Sequence, residues 1–170
     1  MNRKYLAFLD IDGVLTGDRV HFSSEHEYNM WHQFDPVAIQ FFNRIHDQYP
    51  VEWVIMSTWK NQLRNDDTMI EHWIRAAFAN CGFRGVISSP WKTDPDNFAS
   101  TKYWDRAHEV KDYLENFGQD IQDFILFDDN THRFKEILGK SRLIRTDPVD
   151  GLLFKHMKDA WSLMGNWHER

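Results

Sequence analysis

The strongest constraint in this chain lies at Tyr5–Thr16. A short apolar run, Tyr5 to Leu9, leads into Asp10 and Asp12, and Gly13 follows at once. An apolar run of that length, bounded by turn chemistry, reads as a buried strand. Residues i and i+2 of a strand share a face, so Asp10 and Asp12 start out parallel at the strand's C-terminal end. Open α/β sheets build their sites at that end. Gly13 permits a sharp turn because it has no Cβ to forbid positive φ. Aspartate is also an ordinary turn residue. Two like charges this close, however, need a cation between them or a proton on one of them.

A second run of the same kind, Phe124–Phe127, ends in Asp128 and Asp129. Ionised carboxylates at the end of a fully apolar strand are costly unless something positive sits there. Between the two runs, strands and helices alternate. Asp35 as N-cap and Pro36 at N1 open a helix, with Val37, Phe41, Phe42 and Ile45 on one face. Val51–Met56 reads as a strand delivering Ser57, Thr58, Trp59 and Lys60. A capping box at Thr68–Glu71 starts a helix that buries Ile70, Trp73, Ile74, Ala77 and Phe78. Residues 85–89 form a third strand, and residues 90–100 a turn-rich loop. A helix is expected over 101–117, with Ala107, Val110, Leu114 and Phe117 inward. Asn130 and Thr131 cap a helix reaching Leu138, Leu143–Ile144 is a fifth strand, and 148–164 is a closing amphipathic helix. Such alternation predicts an α/β fold with a parallel sheet and right-handed crossovers. No repeat or linker interrupts it, so residues 1–170 are expected to form one domain.

Residues 17–31 are polar and irregular, and the alternation at Val20 and Phe22 suggests a short β-flap. His21, His26 and His32 match no compact zinc spacing and read as solvated loop residues. The net charge of −6 argues against a surface that coats nucleic acid without regard to sequence, which must be basic. One cysteine, Cys81, allows no intrachain disulfide. The apolar segment after Met1–Lys4 is too short for a signal peptide and ends in Asp10, and no apolar run approaches transmembrane length. A cytoplasmic protein is the expectation.

The stretch Phe8–Thr16 resembles the first motif of the haloacid dehalogenase (HAD) superfamily of phosphohydrolases, hhhhDxDGVLT. Ser57 after the Val51–Met56 strand resembles the second motif, and the Asp128–Asp129 strand end resembles the fourth in its hhhhDD form. The resemblance implies a Rossmann-like HAD core with a central parallel sheet flanked by helices. Neither the stretch between Asp12 and Ser57 nor that between Ser57 and Lys102 has room for a full cap domain, which leaves a flap or minimal cap at about 17–34. It implies that Asp10 attacks phosphorus and that Asp12 serves as acid and base. Mg²⁺ is then held by the Asp10 carboxylate, the Asp12 backbone carbonyl, Asp128 and Asp129. Ser57 and a lysine near the start of the helix before the fourth strand would hold the phosphoryl group. Lys102 is that lysine, with Lys111, Lys92 and Lys60 as alternatives. Thr58, Trp59, Lys60 and Lys92 are expected to meet substrate; Trp31, Trp59 and Trp91 could stack on a base, though aromatic packing is the commoner role in so Trp-rich a chain. The pattern looks most like small HAD domains of nucleic-acid repair proteins and 5′(3′)-deoxyribonucleotidases. A small phosphate ester, a nucleoside monophosphate, is the expected substrate. A polynucleotide 3′ end and a non-catalytic HAD-like binding module are the alternatives.

Overall fold

The computed structural model describes residues 4–18, 20, 34–61, 67–93, 106–140 and 142–165. The expected elements at Phe22–Trp31 and the sites at His21, His26, Trp31, His32 and Lys102 lie outside these residues. Five parallel strands form one sheet in the order β3-β2-β1-β4-β5. They are β1 (Lys4–Leu9), β2 (Val51–Ile55), β3 (Val86–Lys92), β4 (Ile121–Asp128) and β5 (Leu143–Arg145). Tyr5 pairs with Val51 on one side and Asp123 on the other, so β1 is central.

Helices cover both faces, and the strand period of two sorts the core between them. Tyr5, Ala7 and Leu9 point to one side. They meet α1 (Pro36–Gln48), α2 (Asp67–Asn80) and, at the far end of the chain, α5 (Phe154–Met164) through residues such as Ile39, Phe42, Ile74 and Met157. Leu6 and Phe8 point to the other side. There they meet Ala107, Val110 and Tyr113 of α3 (Arg106–Phe117) and Phe134 of α4 (Phe134–Leu138). No helix among the described residues is long and apolar enough to cross a membrane.

The start of α1 is as expected: the Asp35 carboxylate accepts the Val37 N–H at 2.8 Å, with Pro36 in the first turn. The buried stripe is Ala38, Ile39, Phe42 and Ile45, which leaves Val37 48% exposed. Trp73 on α2 and Phe117, the last residue of α3, are also exposed rather than inward.

β3 differs most from expectation. It continues through Pro90 and Trp91 to Lys92, where a loop was expected. Pro90 cannot donate to a ladder, but β3 is an edge strand. The register slips between its Ile87 and Lys92 pairings with β2, so Pro90 falls in an irregular stretch of that edge. Elsewhere Asp18 and Val20 belong to a helical turn, not a β-flap, and the Val20 N–H meets the Gly17 carbonyl at 2.9 Å. The helix after β4 starts at Phe134, later than a cap at Asn130 and Thr131 would start it. Asn130 and Asp128 first use their side chains to tie a turn. Asp147 does the same for residues 147–151, which delays α5 to Phe154.

Candidate active site

The C-terminal ends of β1, β2 and β4 converge. β1's last pairing is at Leu9, yet the Asp10 N–H still reaches the Phe127 carbonyl at 2.9 Å, which fixes Asp10 in the sheet. Its carboxylate is buried, with 2% of the residue exposed, and accepts the Ile11 N–H at 2.8 Å. Beyond it the chain curls: the Leu15 and Thr16 N–H groups both return to the Ile11 carbonyl, at 2.8 and 3.1 Å. Gly13 sits in this turn at φ +71°, and a Cβ there would lie 2.7 Å from the Asp129 carboxylate. The turn ends the strand geometry that would keep Asp10 and Asp12 parallel. Asp12 is exposed, and its carboxylate is taken by the Trp59 indole N–H at 3.0 Å (Oδ1) and 2.9 Å (Oδ2) and by the Thr16 hydroxyl at 3.0 Å (Oδ1).

Asp10 instead joins Asp128 and Asp129. One carboxylate oxygen from each lies within 4.8 Å of the others. Arg106, the first residue of α3, reaches into this group through Nη1, pairing with Asp10 and donating to Asp128 Oδ2 at 2.8 Å. Asp128 Oδ1 accepts the Asn130 N–H at 2.8 Å, and His132 Nε2 lies 3.5 Å from the same oxygen. Thr146 braces both motifs: its N–H goes to the Asp128 carbonyl at 3.0 Å and its hydroxyl to the Gly13 carbonyl at 2.6 Å.

The electrostatics follow from this packing. Burial pushes the Asp10 carboxyl up to about 6; Arg106 pulls against it, and the Asp128 charge adds to the rise. Asp129 is raised too, by burial and then by Asp128. Asp128 is lowered: burial acts upward, but the His132 contact, the Arg106 charge and the Asn130 N–H together prevail. Burial alone would lower Arg106, and the two carboxylates hold it protonated. Among the described residues, one guanidinium thus faces three clustered carboxylates, which leaves them short of positive charge. Their all-oxygen donor set suits a hard divalent cation such as Mg²⁺. Asp10, Asp128 and Asp129 can hold one.

The remaining expected site residues occupy varied positions. Ser57 is fully buried at the end of β2, and the Trp59 N–H approaches its hydroxyl at 3.4 Å. The chain then makes a 3₁₀ turn, Thr58–Asn61, with Thr58 exposed. Trp59, a candidate to stack on a base, has its ring packed into the core at 4% exposure. Trp91 is likewise buried. Lys60 is buried against Glu109 and the Thr93 hydroxyl, the latter at 2.7 Å. Lys92 is buried beside Asp67 at 2.7 Å. Lys111 lies on the outer face of α3 near Glu115. Among the described residues, Arg106 is the basic side chain that pairs with both Asp10 and Asp128. A lysine, Lys102, was expected at the start of the helix before β4; it lies outside the described residues, and the described part of that helix begins at Arg106. Thr16 ended the first motif, but Glu109 and Thr146 carried no sequence signal, because a single hydroxyl or acid is unremarkable outside its fold.

A family model described as the HAD domain in Swiss Army Knife RNA repair proteins matches residues 6–157. No curated protein matches the chain in sequence.

Proposed function

The chain belongs to the family of HAD domains in Swiss Army Knife RNA repair proteins, and from that footing we propose that it is a Mg²⁺-dependent phosphomonoesterase that clears a terminal phosphate from an RNA end through an aspartyl-phosphate on Asp10. The family gives phosphatase-type chemistry at a coarse level; the metal, the covalent step and the substrate are our reading. The observation that carries it is the division of labour between two neighbouring aspartates. Asp10 is buried among Asp128, Asp129 and Arg106, whereas Asp12 is exposed and held apart by Trp59 and Thr16.

In this reading an Asp10 oxygen forms a bond to phosphorus as the bond to the leaving oxygen breaks. Asp12 gives its proton to that leaving oxygen. Asp12 then takes a proton from water as the water oxygen bonds to phosphorus and Asp10 is released. In the same reading the Ser57 hydroxyl and Arg106 steady the non-bridging oxygens as charge spreads over them. Arg106 is the described cation for that part; Lys102, the sequence's choice, lies outside the described residues. Mg²⁺, held by Asp10, Asp128 and Asp129, would offset the combined carboxylate and phosphate charge.

The family's description favours an RNA end over the free mononucleotide expected from sequence. The net charge of −6 supports the mononucleotide as a second reading. Phosphate release is to be measured from a 3′-phosphorylated oligoribonucleotide and from nucleoside monophosphates, with Mg²⁺. Release from the oligonucleotide is expected; release from the mononucleotides alone selects the second reading. Asp10→Asn and chelation of the metal should each lower turnover below about a thousandth of wild type, the scale seen when a nucleophile is removed. Retained turnover in a purified Asp10→Asn protein would overturn the covalent mechanism.

A further inference from the structure

We propose that Trp59 is a positioning residue for Asp12: its indole N–H fixes the acid–base carboxylate relative to the phosphate-binding Ser57 and leaves Oδ2 as the oxygen that carries the transferred proton. This rests on the phosphatase reading, which gives Asp12 its proton-transfer role. Ser57 and Trp59 belong to one tight segment, with the Trp59 N–H directed at the Ser57 hydroxyl and the Lys60 N–H at the Ser57 carbonyl, at 3.4 and 3.2 Å. A group holding the phosphoryl oxygens and a group holding the acid–base residue are therefore only two residues apart, at the start of one 3₁₀ turn.

The bond geometry is specific. The indole N–H spans both Asp12 oxygens, at 3.0 and 2.9 Å. Thr16 adds a second donor at Oδ1, at 3.0 Å. A carboxylate oxygen offers about two lone-pair sites. Among the described residues Oδ1 has two donors and Oδ2 has one, so Oδ2 keeps the open site for a proton. In the first step that proton leaves Oδ2 for the leaving oxygen. In the second it returns to Oδ2 from the attacking water.

A merely structural role, satisfying a buried indole, is a weaker account. The buried indole N–H groups of Trp53 and Trp161 have no hydrogen-bond partner among the described residues, so this core tolerates that loss. Trp59 also packs on Phe34 at 6.0 Å between ring centroids, a contact that phenylalanine at position 59 preserves in kind.

The test uses the full chain with Mg²⁺ and compares wild type with Trp59→Phe on two esters. p-Nitrophenyl phosphate has a leaving group that needs little protonation; a ribosyl phosphate has one that needs a proton. Trp59→Phe is expected to slow single-turnover cleavage of the ribosyl ester about 30-fold with KM little changed, within the range for misplaced general acids. The p-nitrophenolate burst rate should stay within about threefold of wild type, because the acid contributes little there. Equal losses on both esters, or no loss on the ribosyl ester, would overturn the proposal. A second measurement keeps Trp59 in place. The indole N–H resonance of Trp59 should move upfield in Asp12→Ala and exchange with solvent at least about tenfold faster; an unmoved resonance also overturns the proposal, even if Trp59→Phe does not fold. A wild-type protein inert toward both esters defeats the phosphatase reading itself, and the wild-type control separates that failure from this one.

Discussion

Asp10 has a pKa near 6 because burial penalises its charge more than Arg106 relieves it. The sign of the stability effect follows. Below the ordinary value of 3.8 the carboxyl is protonated in folded and unfolded chains alike, and it costs nothing. Between 3.8 and about 6 the unfolded chain loses its proton first, and the folded state loses relative stability. Above about 6 the penalty is complete. Asp10→Asn removes it, so in the metal-free protein this variant should unfold later than wild type at pH 8, by up to about 3 kcal/mol. The gain should vanish at pH 4. Urea unfolding at both pH values in chelator checks this, and equal shifts at the two would refute it. At this scale the acids were readable from sequence, because an apolar run that stops in Asp10 or Asp128 strands a charge unless a cation faces it. Arg106 and Trp59 were not. Whether a cation on a helix reaches a carboxylate, or an indole N–H turns inward, depends on the helix's placement and on a four-residue turn.

At the level of elements, the turn after β1 does more than reverse the chain. It brings the Gly13 backbone against Asp129, and Thr146 fastens it from the other side. Gly13→Ala adds a Cβ where φ is +71°, at a conformational cost of about 1–2 kcal/mol before any clash with Asp129 is counted. Displacing Asp129 should also weaken Mg²⁺ binding. Lower urea stability together with a Mg²⁺ affinity reduced at least about tenfold, by calorimetric titration, is the expected pair; undisturbed affinity would mean that Asp129 does not hold the metal. Helix starts were legible where a side chain caps them, as Asp35 does. The end of β3 was not. Pro90 argues against a strand from sequence, and only the strand's place at the sheet edge makes it tolerable.

For the whole molecule, alternating strands and helices made the layered α/β plan legible, but the order of the strands had to come from the structure. That order, with β1 between β2 and β4, unites the acids from the two apolar runs at the C-terminal end of the sheet. It also has a consequence for how the chain is made. Tyr5 takes Asp123 as a partner, well over a hundred residues further on. While the chain leaves the ribosome, β1 can pair with β2 long before β4 exists, and its other edge stays open. A fragment ending at residue 120 should therefore self-associate, and light scattering should show aggregates that the full chain lacks; a monodisperse fragment would refute this. During that interval the nascent chain carries Asp10 without Asp128 or Asp129. Asp10 is among the earliest parts of the sheet to be synthesised, and its carboxylate cluster is completed only when translation has supplied β4.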